Sequence, residues 1–291
     1  MERKVDVAII GAGTAGLSAM GQVRRAKKSF VLINGGELGT TCARVGCMPS
    51  KALIQVAHDL HRREIFEREG IEGGEALTAN LADTLEHVRD LRDILVDRVL
   101  ANSTDQMDEE FIEGYARFSS PGVLQVGEDT IHARSIVIAS GTRPVVPPAW
   151  RDFGDRIITS DSLFELEDLP DAVAVVGLGV IGLEIGQALS YLGVSVTGFD
   201  QLETIAGLSD PSAKQTAIEL MERSFPIHLG HRAELAEEGG RIRVSAGEHS
   251  VVVDKVLAAM GRQSNLDWLG IEKSGVALDQ DGTPVFDKHT M

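Results

Sequence analysis

Only two cysteines occur in the 291 residues, Cys42 and Cys47, five positions apart. Structural zinc needs four ligands at short paired spacings, and the nearest following histidine, His58, stands eleven residues past Cys47. A two-cysteine metal module is therefore disfavoured, and no metal site is expected. Positive charge is scarce as well: 28 Lys and Arg against 44 Asp and Glu leave a net charge of -16. Nucleic acid and anionic membrane surfaces call for clustered Lys and Arg, so neither is an expected partner. No apolar run approaches the roughly 18 residues of a membrane span. The start, Met1-Glu-Arg-Lys-Val-Asp6, leads into neither a long apolar segment nor a small-residue cleavage site. The cytoplasm is the expected compartment, where a purely structural disulfide is out of place.

What the chain does have is a repeat. Val7-Ala-Ile-Ile-Gly-Ala-Gly-Thr-Ala-Gly-Leu17 matches Val173-Ala-Val-Val-Gly-Leu-Gly-Val-Ile-Gly-Leu183 at a fixed offset of 166. Each copy begins with a β-branched run that reads as a buried parallel strand. Each then gives G-x-G-x-x-G opening a helix, through Gly11, Gly13 and Gly16 and through Gly177, Gly179 and Gly182. In such a turn the first glycine tightens the bend, the second admits a pyrophosphate and the third lets helix pack on strand. The pyrophosphate meets unpaired N–H groups and the positive end of the helix dipole. One such match is weak; two, each after a strand and each followed by another, predict two dinucleotide-binding units. The length accommodates two domains.

The second strand of each unit should end in the ribose contact. Asp200 lies 23 residues after Gly177, near the expected spacing for an acid on the 2′-hydroxyl. Gln201, Leu202 and Glu203 follow without a nearby Arg for a 2′-phosphate, so this unit reads as an NAD site. The equivalent position of the first unit is Asn34, which can hydrogen-bond a ribose without the assistance of a charge.

The cysteines follow the first fingerprint in Gly39-Thr-Thr-Cys42-Ala-Arg-Val-Gly-Cys47-Met-Pro-Ser-Lys51. Two thiols beside a dinucleotide site suggest electron transfer through a disulfide, with two inert buried thiols as the alternative. On a regular helix their Cα atoms would be roughly 8.6 Å apart. A disulfide needs about 4.4–6.8 Å, so bridging requires a distorted turn, for which Gly46 is the suited residue.

Helices are expected from Pro49 to about Arg68 and over Leu81–Val99, and strands at Val123–Val126 and Ile131–Ile138. The apolar stripe Leu85, Val88, Leu91 and Leu95 reads as core. Ser140-Gly-Thr-Arg-Pro-Val-Val-Pro-Pro148 reads as a linker. The fold class is α/β, with two Rossmann-like units and the second inserted into the first. Residues 1–150 form the first domain, 151–262 the second, and 263–291 return to the first.

Six motifs together resemble the pyridine nucleotide-disulfide oxidoreductases, the class I flavoprotein disulfide reductases. They are both fingerprints, the Cys42–Lys51 run, Ser140-Gly-Thr-Arg-Pro144, Gly182-Leu-Glu184 and Met260-Gly-Arg-Gln-Ser-Asn265. Within that family the likeness is greatest to the dihydrolipoamide dehydrogenase branch. The resemblance implies FAD on the first unit, NAD on the second and a dithiol or disulfide substrate such as (dihydro)lipoamide. It implies that Cys47 is the thiolate against the flavin and Cys42 the thiol exchanging with substrate. It also implies that Lys51 stands near the reactive flavin edge and pairs with Glu184, a charge favouring reduced flavin and thiolate. Thr41, Ala116, Ser140 and Gly141 fall where the family contacts FAD. Ala233 and Gly261 fall where it contacts NAD, as do Val180 and Ile181 after Gly179.

The chain departs from the family at four residues. Thr40 and Arg44 stand where Gly and Asn are usual, and Arg44 is expected to lower the Cys42 thiol pKa. Val180 stands where a Tyr often covers the flavin, as it does in mercuric reductases, and Asn34 replaces an acid. Family members continue with a second FAD-contacting Gly-Asp motif and a dimerisation domain that supplies a His–Glu acid-base pair. No His-Pro sequence occurs here, so the chain reads as truncated, with a homodimer expected of the full-length family. Mercuric reductase and flavin-linked NADH oxidase are the near alternatives, and a non-catalytic nucleotide-binding fragment is the alternative of another class.

Overall fold

The computed structural model describes residues 1–280, 282–287 and 289. Two compact units divide the chain: Met1–Arg44, Ile94–Arg143 and Gln263–Met291 form one, and Val45–Asp93 with Pro144–Arg262 form the other.

The first unit is built on a six-stranded sheet. Its strands are β1 (Glu2–Ile10), β2 (Phe30–Asn34), β3 (Phe111–Glu113), β4 (Ala116–Ser120), β5 (Val123–Val126) and β6 (Asp129–Ile138). Their order across the sheet is β3-β2-β1-β6-β5-β4. β1 pairs in parallel with both β2 and β6, and β5 turns back antiparallel. Side chains alternate across a strand, and the end of β1, residues 8–10, is buried on both faces. Ala8 and Ile10 enter a cluster with Val31, Ile33, Leu124 and Ile131, whereas Ile9 enters another with Met20, Phe30 and Leu32. The helix Thr14–Arg25 follows β1 directly.

The second unit repeats this plan. Five strands lie in the order Ile227–His228, Ser195–Phe199, Ala172–Val176, Lys255–Ala258, Ile157–Ile158, all in parallel. Ala172–Val176 is buried throughout. Val173 and Val175 face a cluster with Leu53, Leu85, Leu183 and Leu189, while Ala172, Ala174 and Val176 face Trp150, Ile242 and Val244. A three-stranded antiparallel sheet, Glu234–Glu238, Arg241–Ala246 and His249–Val253, covers that second face.

The compact units do not follow the boundaries read from sequence. Residues 45–93 pack with 144–262, because Leu53, Ala57, Leu85 and Val88 are fully buried among Val175, Leu183 and Leu189. The long helix expected to about Arg68 runs over Cys47–His61 and then breaks into the short turns Arg63–Phe66 and Glu67–Glu69. The helix Leu81–Ala101 buries Leu85 and Val88 but leaves Leu91 exposed, so only part of the stripe is core. Residues 142–144 of the expected linker form a strand paired with Arg262–Ser264. Among the described residues no helix is long and apolar enough to cross a membrane.

These burials separate two leucines on one helix. Leu85→Ala is expected to cost about 2–5 kcal/mol through the cavity it leaves. Leu91→Ala is expected to stay within about 0.5 kcal/mol. Denaturant unfolding of both variants checks the difference.

Candidate functional site

In open parallel sheets, ligands bind at the carboxyl ends of strands where the strand order reverses. Each unit has one such point. In the first it lies between β1 and β6, and in the second between Ala172–Val176 and Lys255–Ala258.

Both points are built alike, to within tenths of an ångström. Gly11 N–H donates to the Ile33 carbonyl at 2.7 Å, and Gly177 N–H to the Phe199 carbonyl at 2.8 Å. Gly11 and Gly177 have φ of 105° and 97°, and a Cβ on either would strike the backbone carbonyl of Ala139 or Ala259. A Cβ on Gly16 or Gly182 would strike the carbonyl oxygen of Gly11 or Gly177, so these glycines let helix close on strand. Gly13 and Gly179 differ: where their Cβ atoms would stand there is open space. Each of these two caps a helix N-terminus with extended backbone and no side-chain cap. An open cradle beside uncapped N–H groups fits a pyrophosphate.

The strand-end side chains close the repeat. Ala12 N–H donates to Asn34 Oδ1 at 3.1 Å, and Leu178 N–H donates to Asp200 Oδ2 at 2.7 Å. Asp200 Oδ1 accepts a second bond from Leu202 N–H at 2.9 Å. An ionised carboxylate has about four acceptor positions, which leaves Asp200 capacity for a ribose diol. Asn34 also gives one N–H to the Gly36 carbonyl at 2.6 Å and keeps the other.

A cavity of about 630 Å³ opens at the switch point of the second unit. Gly177, Gly179, Val180, Ile181, Asp200, Ala233 and Gly261 all line it, whereas Gly182 lies buried beneath. The volume and mostly apolar wall suit a dinucleotide half. The structure adds Arg232, an exposed cation on the same wall as Asp200 and Gln201. Sequence reading missed it because it stands 32 residues beyond Asp200, outside the strand-end segment searched for a basic residue. Arg262 also lines the cavity, with its guanidinium on Asp161 at 2.7 and 3.1 Å.

The first-unit residues sit at strand and helix ends. Ala116 opens β4 and is buried, Ser140 and Gly141 follow β6, and Thr41 opens the turn Thr41–Arg44 that carries half-buried Cys42. Thr40 adopts φ of 66°, the left-handed region that suits the glycine usual in the family. Its Oγ1 accepts from Ala43 N–H at 3.2 Å. Arg44, expected to lower the Cys42 thiol pKa, is ion-paired with Glu37.

In the second unit, exposed Cys47 opens the helix Cys47–His61. Gly46, with φ -117° and ψ -119°, ends the preceding helical course, so the cysteines do not share one regular helix. One turn on, Lys51 Nζ meets Glu184 Oε2 of the Val180–Tyr191 helix at 2.6 Å. The expected Lys51–Glu184 pairing is therefore present, between helices held by the cluster around Leu53, Ala57 and Leu183.

Residues 5–291 match the family model described as pyridine nucleotide-disulphide oxidoreductase. The chain belongs to this family. Its members are FAD- and NAD(P)-dependent disulfide oxidoreductases. Similar relatives include dihydrolipoyl dehydrogenase 3 of Pseudomonas aeruginosa, 33% identical over 97% of this chain and 63% of the relative. The dihydrolipoyl dehydrogenase of Thermus scotoductus is 28% identical over 95% and 61%, and a mercuric reductase of Staphylococcus aureus 29% identical over 95% and 52%. The chain thus spans less than two-thirds of the length of these relatives. The HOCl-induced flavoprotein disulfide reductase RclA from Escherichia coli, in its Cu(II) complex, shares the fold with a TM-score of 0.85 at 23% identity, covering 99% of this chain and 64% of RclA.

Two predictions follow the local geometry of this family member. Thr40→Ala loses the capping bond and keeps the positive φ, whereas Thr40→Gly loses the bond and relieves the backbone. The alanine variant is expected to unfold with about 1 kcal/mol less stability than the glycine variant. Lys51 and Glu184 are both substantially exposed, so Lys51→Met and Glu184→Gln should each change stability by about 1 kcal/mol or less. Thermal or urea unfolding tests both, and a larger loss at Lys51 would make the pair structural.

Proposed function

We propose that this chain is the dinucleotide-binding portion of an NAD-linked flavoprotein disulfide oxidoreductase of the dihydrolipoamide dehydrogenase type. The observation that carries the reading is the doubled switch-point geometry, whose first copy is followed by the only two cysteines of the sequence. The first unit would hold FAD through Gly11, Gly13, Gly16, Asn34, Thr41, Ala116, Ser140 and Gly141. The second would hold NAD through Gly177, Gly179, Val180, Ile181, Gly182, Asp200, Ala233 and Gly261. Bound FAD would supply a two-electron relay between the nicotinamide and the cysteine pair. Cys42 takes the exchange with substrate and Cys47 carries the thiolate, so that a dithiol and NAD⁺ become a disulfide, NADH and a proton, or the reverse. The Lys51 ammonium supplies fixed positive charge for a thiolate and a reduced flavin, and Glu184 orients it.

Lipoamide is the proposed substrate because Asp200 favours NAD and the chain is similar to dihydrolipoyl dehydrogenases. Val180, in the place of the usual Tyr, and the mercuric reductase likeness favour Hg(II) as the second reading. Turnover of lipoamide, glutathione disulfide and Hg(II) by the full-length protein separates these, and turnover of Hg(II) alone would replace the first reading by the second.

The purified chain should be yellow. Anaerobic NADH should develop the long-wavelength band of a thiolate against oxidised flavin, and Cys47→Ser should abolish it. A flavin that NADH reduces without that band would remove Cys47 from the relay. The choice of NAD rests on Asp200, with Arg232 the one cavity-wall cation that favours a 2′-phosphate. Arg232→Ala is expected to lower NADPH affinity about tenfold with little effect on NADH, since a charge-assisted bond is worth about 1.5–3 kcal/mol. Equal losses for both coenzymes would assign Arg232 to the adenine instead.

A further inference from the structure

Beyond the fingerprint, the first unit contains a polar cluster that the proposed reaction leaves unused. Arg143 Nη1 donates to Asn265 Oδ1 at 3.0 Å and to Asp267 Oδ1 at 3.1 Å. Arg143 Nη2 donates to Asp267 Oδ2 at 2.5 Å, which completes a two-point clamp. The guanidinium also lies 4.9 Å from the centre of the Trp268 ring. With its amide oriented to satisfy both sides, Gln263 accepts from Arg143 Nε at 2.8 Å and Nη2 at 2.6 Å. The bond from Arg143 holds the Asp267 carboxyl below the usual carboxylate range, so the clamp keeps both charges.

This cluster decides which way the Asn265 amide faces. Its oxygen is taken by Arg143, so its nitrogen turns the other way and donates to the Ser140 carbonyl at 3.0 Å. The backbone of the same residue adds a second bond, from Asn265 N–H to the Gly141 carbonyl at 3.0 Å. Two successive carbonyls of the turn after β6 are thereby drawn to one residue. The peptides are trans, so the N–H of Gly141 points opposite to the Ser140 carbonyl, away from Asn265. Gly141 has φ of 69° and open space where a Cβ would stand. The turn flanks the switch point, since the Ser140 nitrogen lies 3.2 Å from where a Gly11 Cβ would be.

We infer that Asn265, oriented by Arg143 and Asp267, is the positioning residue that sets the Ser140–Gly141 turn for the dinucleotide held at this switch point. The inference rests on the FAD reading of the first unit. Asn265 acts through the turn: it fixes the direction of the Gly141 N–H before a ligand arrives, so no binding energy is spent on ordering it. Arg143 and Asp267 act one step further out. The Arg143–Trp268 contact adds a second restraint on the guanidinium plane.

The experiment is an FAD titration of the 291-residue chain, followed by flavin fluorescence, with the thermal midpoint of the flavin-free protein measured in parallel. Asn265→Asp keeps the size and the acceptor for Arg143 but loses the donor to Ser140. It is expected to raise the FAD Kd about tenfold, because the turn is no longer set before FAD binds, and to lower the flavin-free midpoint only slightly. Asp267→Asn leaves Asn265 in place and loosens Arg143, and should raise Kd by a smaller factor. It serves as the second variant if Asn265→Asp does not fold. A fall in midpoint with Kd unchanged in either folded variant would make the cluster structural and overturn the inference. A wild-type chain that binds no FAD would overturn the FAD reading and this inference together. A wild type that binds FAD beside an unaffected Asn265→Asp would overturn the inference alone.

Discussion

The bond between a strand-end side chain and the N–H of the residue after the first fingerprint glycine is the constraint on which both halves of this molecule depend. Asn34 holds Ala12 and Asp200 holds Leu178. Each bond ties the second strand to the tight turn after the first, and so fixes where the helix begins. The helix can start there only because Gly16 and Gly182 carry no side chain to strike the turn carbonyl. Helix dipole, free N–H groups and open cradle then converge on one point. An anionic ligand is the chemistry this arrangement favours.

The two halves use that frame with different chemistry. In the second, Asp200 is a charged acceptor already steadied by two backbone donors, in a largely apolar cavity with one exposed cation, Arg232. In the first, Asn34 is neutral and shares its amide with Gly36. In the FAD reading, recognition there leans more on backbone groups, which gives the Ser140–Gly141 turn and the residues fixing it a larger part. Lys51 and Glu184 form an exposed pair of modest worth to stability, and in the proposed reaction their part is the direction of a charge.

Much of this was legible in the sequence, for physical reasons that can be named. The β-branched runs before Gly11 and Gly177 are buried on both faces, so their composition alone marks central parallel strands. The 166-residue offset persists in the structure as matched hydrogen bonds. Lys51 and Glu184 were paired through the family resemblance. The illegible parts depend on contacts between distant segments. Nothing in the stripe of Leu85, Val88, Leu91 and Leu95 says which members face a neighbour, and Leu91 does not. Arg44 looked like an unopposed charge beside Cys42 because its partner Glu37 lies seven residues earlier, across a turn of left-handed residues. Arg232 and Asn265 reach their sites from a loop and a turn far along the chain.

One chain thus carries two equivalent anion cradles, one per unit. The most direct measurement is the stoichiometry of 5′-ADP binding by calorimetry, for the wild type and for Gly13→Val and Gly179→Val. Both positions have room for a side chain, so both variants should fold, yet the added side chain fills the cradle. Two sites are expected in the wild type and one in each variant. A single site in the wild type, or two sites retained in either variant, would contradict it.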